Sequence, residues 1–300
     1  MRRKVILHGP SSLGISLPSS WVKKNGIGKG AELDISESGS RLIITNSQRD
    51  ERCRKTEVSF REASSAAQKD MLLALHEKGY DEITINFDDD TTIKETYRFL
   101  SESNLGYEII RQEKGNVTLR NVTIPEDDQF NDLFNRMIRI TIEFAEKINR
   151  ILNEDDDVTE SNMLYATSVG RIANYCRRII VRGGIEDSVY YHRIISSMRE
   201  ISDSLSSLYN DIYEEERMSS EYASVFADLY DVLFSSVDLY YRFSIKRYSE
   251  LDGSFASVRS RIKDLRRKQR SASCCWEHME TIAKAVSEFL PAVLALNLEG

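Results

Sequence analysis

From Glu126 to Gly300 the chain contains a single proline, Pro291, and apolar residues return every three or four positions. Proline removes a backbone donor and clashes with the preceding turn. Its near absence, joined to an apolar period near 3.6 residues, commits this region to long helices. The stretch FNDLFNRMIRITIEFAEKINRIL puts Phe130, Phe134, Met137, Ile138, Ile142, Ala145 and Ile148 on one stripe. Similar stripes run from Met163 to Val181, Val189 to Tyr213, Tyr222 to Tyr248, Phe255 to Leu265 and Met279 to Leu298. Breaks are expected at Glu154-Asp155-Asp156-Asp157, at Gly183-Gly184, near Met218-Ser219 and at Asp252-Gly253. The pattern predicts roughly six helices, enough for a bundle.

Ahead of Pro125 the pattern differs. Residues 3–46 read as short strands: RKVILHG, then LGISLP with Leu13, Ile15 and Leu17 alternating, then AELDIS and RLIITN around Ser38-Gly39-Ser40. Between them, Pro18 stops a strand and Ser19 or Ser20 is expected to cap a short helix, SWVKKNG, which Asn25-Gly26 ends. Residues 54–123 follow the order β-α-β-α-β-β. In the first of these helices Met71, Leu72 and Leu75 are expected inward and Gly79 is the stop, and a hairpin turns at Lys114-Gly115. The acidic run at Asp88-Asp89-Asp90 reads as a strand-to-helix turn with a Thr cap, because consecutive aspartates do not surround one ion.

With 300 residues, 41% hydrophobic and 30% charged, the chain can hold about two or three domains with a real core. No apolar run is long enough to span a membrane, and the basic start lacks a signal-peptide core, so a cytoplasmic location is expected. Charge is unevenly placed. Residues 1–49 carry eight Lys and Arg against three Asp and Glu, a balance of +5, so the chain total of −7 leaves −12 to the remainder. A basic head on an acidic body suits contact with a polyanion through the head, and an ordinary uneven surface is the alternative.

The four cysteines, Cys53, Cys176, Cys274 and Cys275, form no CxxC pair. Cys274 and His278 share a helical face, but two ligands do not complete a metal site, and small apolar packing is the favoured role. His8, His76, His192 and His278 fall in four different elements, with no Ser/His/Asp set, Walker loop or HExxH, so no catalysis is expected. The adjacent pairs Tyr190-Tyr191 and Tyr240-Tyr241 fit either a partner surface or a core with one ring inside and one at the rim; the core is favoured.

ISLPSSWVKKNGIGKGAELDIS, with its Leu-Pro strand end, short helix and turn at Gly26, Ile27 and Gly30, resembles the AbrB/MazE/SpoVT swapped-hairpin DNA-binding family over residues 3–46. The domain order as a whole resembles archaeal PhoU-like phosphate-uptake regulators. MREISDSLSSL from Met198 aligns with METIAKAVSEF from Met279, which fits two related halves or chance likeness between amphipathic helices. The resemblance implies a multidomain α+β protein: residues 1–48 a dimeric swapped-hairpin β-barrel, 54–124 a small βαβαββ sandwich, and 126–300 a PhoU-like all-α bundle of two three-helix halves.

It also implies double-stranded DNA as partner. Phosphate contacts fall to Arg2, Arg3, Lys4, Lys23 and Lys24, base-reaching contacts to Arg3, His8, Ser11, Ser12 and Ser16, and dimer packing to Leu13, Ile15, Leu17, Trp21 and Val22. The alternative is a head that only dimerises, on an adaptor acting on phosphate-transport or signalling proteins. PhoU helices carry E/D-x-x-x-D metal pairs, whereas here the matching positions hold Arg199 with Asp203 and Glu280 with Lys284, and Asp157 is followed by Ser161. Each of the two helical pairs is expected to form a self-compensating i, i+4 ion pair, and no metal or other cofactor is expected.

Overall fold

The computed structural model of the protein describes residues 2–9, 12–38, 41–45, 53–88, 91–102, 106–122, 129–153, 164–183, 185–214, 218–268 and 275–298. The chain forms two compact units, Met1–Arg54 and Lys55–Gly300. The first is a small strand domain and the second ends in a helical body, so the protein is a multidomain α+β chain.

In the head, β1 (Val5–Leu7) pairs antiparallel with β2 (Leu13–Ile15), Val5 opposite Ile15 and Leu7 opposite Leu13. Helix α1 (Ser19–Asn25) follows, then β3 (Asp34–Ser38) paired antiparallel with β4 (Arg41–Thr45). Residues 39 and 40 of the expected turn lie outside the described residues. None of the head residues whose exposure is described is buried. Two-stranded hairpins alone are marginal in water.

The second unit opens with a four-stranded sheet of order β5-β6-β8-β7, made of β5 (Lys55–Ser59), β6 (Glu82–Asn86), β7 (Tyr107–Glu113) and β8 (Asn116–Asn121). β5 and β6 are parallel, joined through α2 (Ser65–Glu77); the other pairings are antiparallel, and α3 (Thr91–Glu102) connects β6 to β7. Alternation in β6 buries Ile83 and Ile85 with Leu72, Phe99, Val117 and Leu119. Glu82 on the same strand binds Lys55 at 2.9 Å and Arg120 at 2.8 Å, and those two hydrogen bonds lower its pKa. Ser64 caps α2 by accepting from Ala67 N at 3.3 Å. On α2, Leu72 is buried as expected, but the other buried residue is His76, with Met71 and Leu75 only partly covered. His76 packs edge-on to Tyr107 at 5.6 Å, which a polarity count would not foresee. Asp89 and Asp90 lie outside the described residues.

Six helices complete the described residues of this unit: α4 (Gln129–Asn153), α5 (Leu164–Arg182), α6 (Ser188–Glu214), α7 (Ser220–Tyr241), α8 (Ile245–Lys268) and α9 (Cys275–Asn297). They share one core, and α6 and α9 pack most extensively against each other. The expected break at Asp252-Gly253 is absent, because α8 runs through it with Leu251, Phe255, Val258, Ile262 and Leu265 all buried. Continued apolar periodicity outweighs the roughly 1 kcal/mol that a glycine costs a helix interior. The chain turns instead at Arg242, whose φ of −137° and ψ of 62° end α7; Ser244 Oγ then accepts from Arg247 N at 3.2 Å to start α8, and Arg247 pairs with Asp238. Residues 154–160 and Gly184, at two other expected breaks, lie outside the described residues.

The sheet layer docks on the bundle through a cation. Arg178 of α5 is fully buried. Its guanidinium donates to the carbonyls of His76 at 3.0 Å and Tyr80 at 2.8 Å, and to Asp81 Oδ1 at 2.6 Å. Arg182 donates to the same Asp81 oxygen at 2.6 Å and to Gly79 O at 3.2 Å. Burial pushes the Tyr107 phenol up to about 12, opposed by Arg178, so it stays neutral and donates to Tyr80 O. Removing one partner of a buried pair strands the other charge in low dielectric. Asp81→Ala is therefore expected to lower the unfolding free energy by about 3–5 kcal/mol in urea titration. A loss under about 1 kcal/mol would reduce the contact to the worth of a surface bridge.

Candidate nucleic-acid interface

The head's geometry follows from its turns. Pro18, with φ −61° and ψ 127°, is the N-cap of α1 and makes no side-chain cap bond, so neither Ser19 nor Ser20 has the expected capping role. Proline fixes the approach angle while Val22 N donates to Pro18 O at 2.9 Å. At the other end Gly26 has φ 63°. Gly26 N donates to Lys23 O at 3.3 Å and Ile27 N to Val22 O at 3.1 Å, the paired bonds of a Schellman close. Asn25 Nδ2 donates to Trp21 O at 2.8 Å rather than adopting the left-handed conformation itself. Lys23 and Lys24 are exposed in the last turn, where the helix dipole favours cations.

The β1–β2 hairpin is two-faced. Residues directly opposite share a face and neighbours along a strand alternate. The register puts Val5, Leu7, Leu13 and Ile15 on one side, and Ile6 with Gly14 on the other. Continuing the alternation groups Lys4, His8, Ser12 and Ser16 with the Ile6 side. His8 N donates to Ser12 O at 2.7 Å, closing the loop end. All of Arg2, Arg3, Lys4, His8, Ser12 and Ser16 are exposed, while Ser11 lies outside the described residues. Leu13 and Ile15, expected at a dimer contact, are 73% and 50% exposed, and Leu17, Trp21 and Val22 are half-buried. The cations thus sit in two elements, before β1 and at the end of α1.

The other expected sites resolve as follows. Arg199 Nε meets Asp203 Oδ2 at 2.7 Å, as expected for an i, i+4 pair. Glu280 instead contacts Arg266 of α8 at 3.4 Å, because that guanidinium lies over the Trp276 ring at 4.8 Å and is carried to it. His278 Nε2 lies 3.0 Å from Asp211 Oδ2, so its polar contact reaches across to α6 rather than along α9. Asp157, Ser161 and Cys274 lie outside the described residues. Among the described residues no group of three or more His, Cys, Asp or Glu gathers to hold a metal ion. Cys176 is buried and Cys53 exposed. Tyr191 packs edge-on to Phe130 and Phe134 at 5.3 Å each, and Tyr240 lies 5.7 Å from Phe134; their neighbours Tyr190 and Tyr241 are exposed. One ring of each pair belongs to the core and one to the rim. Among the described residues no helix is long and apolar enough to cross a membrane.

The head is thus a small domain of two β-hairpins joined through a short helix closed by Gly26. Residues 7–52 match the family described as antidote-toxin recognition MazE, bacterial antitoxin. The chain therefore carries an N-terminal MazE/AbrB-type domain ahead of a helix-rich body. No curated protein and no solved structure matches the chain.

Proposed function

We propose that this protein is a homodimeric DNA-binding regulator whose head interlocks with that of a second copy as a swapped-hairpin barrel. The observation that carries it is the head's uncovered apolar surface: Val5, Ile6, Leu7, Leu13, Ile15, Ile35 and Leu42 are each at least half exposed, and none of the head residues whose exposure is described is buried. Val5, Leu7, Leu13 and Ile15 share one face of the β1–β2 hairpin, and exposed apolar patches mark association sites. Burial of such side chains is worth roughly 1.5–3 kcal/mol each, enough to supply the core that one copy lacks. A dimer that hides the Val5, Leu7, Leu13 and Ile15 face leaves the Lys4, His8 and Ser16 face and the Lys23-Lys24 pair for duplex DNA. The rest of the chain is a sensing or partner-binding body, not an enzyme, and works without a metal cluster.

The proposal extends to phosphate uptake through the PhoU resemblance. Met198, Ile201, Leu205 and Leu208 of α6 and the aligned Met279, Ile282, Val286 and Phe289 of α9 are all buried, on two helices that pack together. This supports related halves. A dimeric adaptor acting on a transporter or kinase, without DNA, rests on the same apolar face and is the competing proposal.

Leu13→Glu with Ile15→Glu is expected to move the protein from dimer to monomer in sedimentation velocity at micromolar concentration; a monomeric wild type would end the barrel proposal. In duplex binding at low salt, Lys23→Ala with Lys24→Ala should weaken affinity and reduce the slope of log K against log salt by about 4 per dimer, since each copy loses two lysines. No binding, or binding indifferent to both lysines, leaves the adaptor. Genome-wide mapping of the bound protein should place it at phosphate-transport genes and respond to phosphate limitation; occupancy elsewhere and unchanged by phosphate removes that assignment.

A further inference from the structure

The C-terminal half of α8 is basic, although the unit that carries it is acidic. From Arg259 to Lys268 there are six Lys and Arg against one acid, Asp264. Leu251, Phe255, Val258, Ile262 and Leu265 turn one face of the helix into the bundle. Arg259, Lys263 and Arg267 follow one another at i, i+4, so they form a row along the helix. All three are exposed, and so are Ala256 and Ser260 beside them.

Two other cations of this stretch are engaged by neighbouring helices. Arg261 pairs with Asp228 of α7 and donates to Ser224 Oγ at 3.0 Å. Arg266 lies over Trp276 and reaches Glu280 of α9 at 3.4 Å. The row is not neutralised in this way. Arg259 and Lys263 make no ion pair among the described residues; Arg259 lies over the Phe255 ring at 5.6 Å. Arg267 is 79% exposed and meets Asp264 of its own helix at 3.4 Å, a surface pair of little worth. The helix dipole favours cations in the last turn, but Arg259 and Lys263 lie farther in. Like charges at i, i+4 repel and weaken a helix, so the row is unfavourable to α8 itself.

We propose that this row contacts the phosphate backbone of duplex DNA, as a second contact beside that of the head. The proposal rests on the DNA-binding reading above. The composition of the face selects the partner. A protein interface is centred on buried aromatic and aliphatic anchors, and a helix lying on a membrane inserts an apolar face. Here the apolar side chains of this half of α8 are in the bundle, and the exposed side offers charge, hydroxyl groups and small residues. Phosphate contacts need only those: Arg, Lys and Ser hold a nucleic-acid backbone without reading its sequence. Successive cations of the row are about 6 Å apart along the helix axis, so a backbone strand running beside α8 meets more than one of them. The net negative charge of the unit does not prevent the contact, because exposed charges beyond a Debye length of about 10 Å are screened.

The test is titration of the full chain onto a long, labelled, random-sequence duplex across a sodium chloride series. Arg259→Gln with Lys263→Gln should weaken binding about tenfold or more near 0.1 M salt and reduce the slope of log K against log salt by about 4 per dimer. The loss should add to that of Lys23→Ala with Lys24→Ala, with the far-UV spectrum unchanged, and Arg259→Lys should bind as the wild type does. Wild-type affinity and slope in the double Gln variant overturn this contact and leave the head's intact; no duplex binding by the wild type overturns both. Equal weakening by Arg242→Gln with Lys246→Gln, at the opposite end of α8, assigns the effect to net charge and overturns the site. Loss of binding to anionic lipid vesicles in the double Gln variant, with duplex binding kept, overturns the choice of DNA.

Discussion

A buried guanidinium holds the second unit together. Arg178 places a full charge where no water reaches, and desolvation lowers its pKa below the ordinary arginine value. It persists because the end of α2 and the loop after it turn their acceptors inward: the carbonyls of His76 and Tyr80 and the carboxylate of Asp81 surround it. A hydrophobic residue of similar size could dock a helix on a sheet with equal or greater stability. It could not demand one position of the His76–Asp81 loop. The charge fixes where α2 meets α5, and the packing of Tyr107 depends on that placement. Arg177 and Arg178 are neighbours on α5, and both reach the sheet layer, Arg177 to Glu77 and Arg178 to Asp81.

The head obeys the opposite logic. A unit of this size buries too small a fraction of its surface to stand alone without disulfides, metal or a second chain. The described cysteines form no disulfide. Its strands are short and many of its apolar side chains are exposed, a surface that association would cover. The charge distribution sets the two units apart: the head carries +5 and the remainder −12, so by net charge a polyanion is attracted by the one and repelled by the other.

Much of this was legible from residue spacing. The stripe from Phe130 to Ile148 named residues of the α4 core, and the alternation in DEITINF named Ile83 and Ile85. The helix close at Gly26 was legible because few residues other than glycine take φ 63° without strain. The misses share a cause. Gly253 suggested a break because propensity is local, yet the burial of Leu251 and Phe255 on either side is decided by tertiary packing. Glu280 was assigned its i, i+4 neighbour because only sequence distance was visible, while Arg266 reached it from another helix. Arg178 could not be singled out among the tail's arginines, since its partners lie about a hundred residues away.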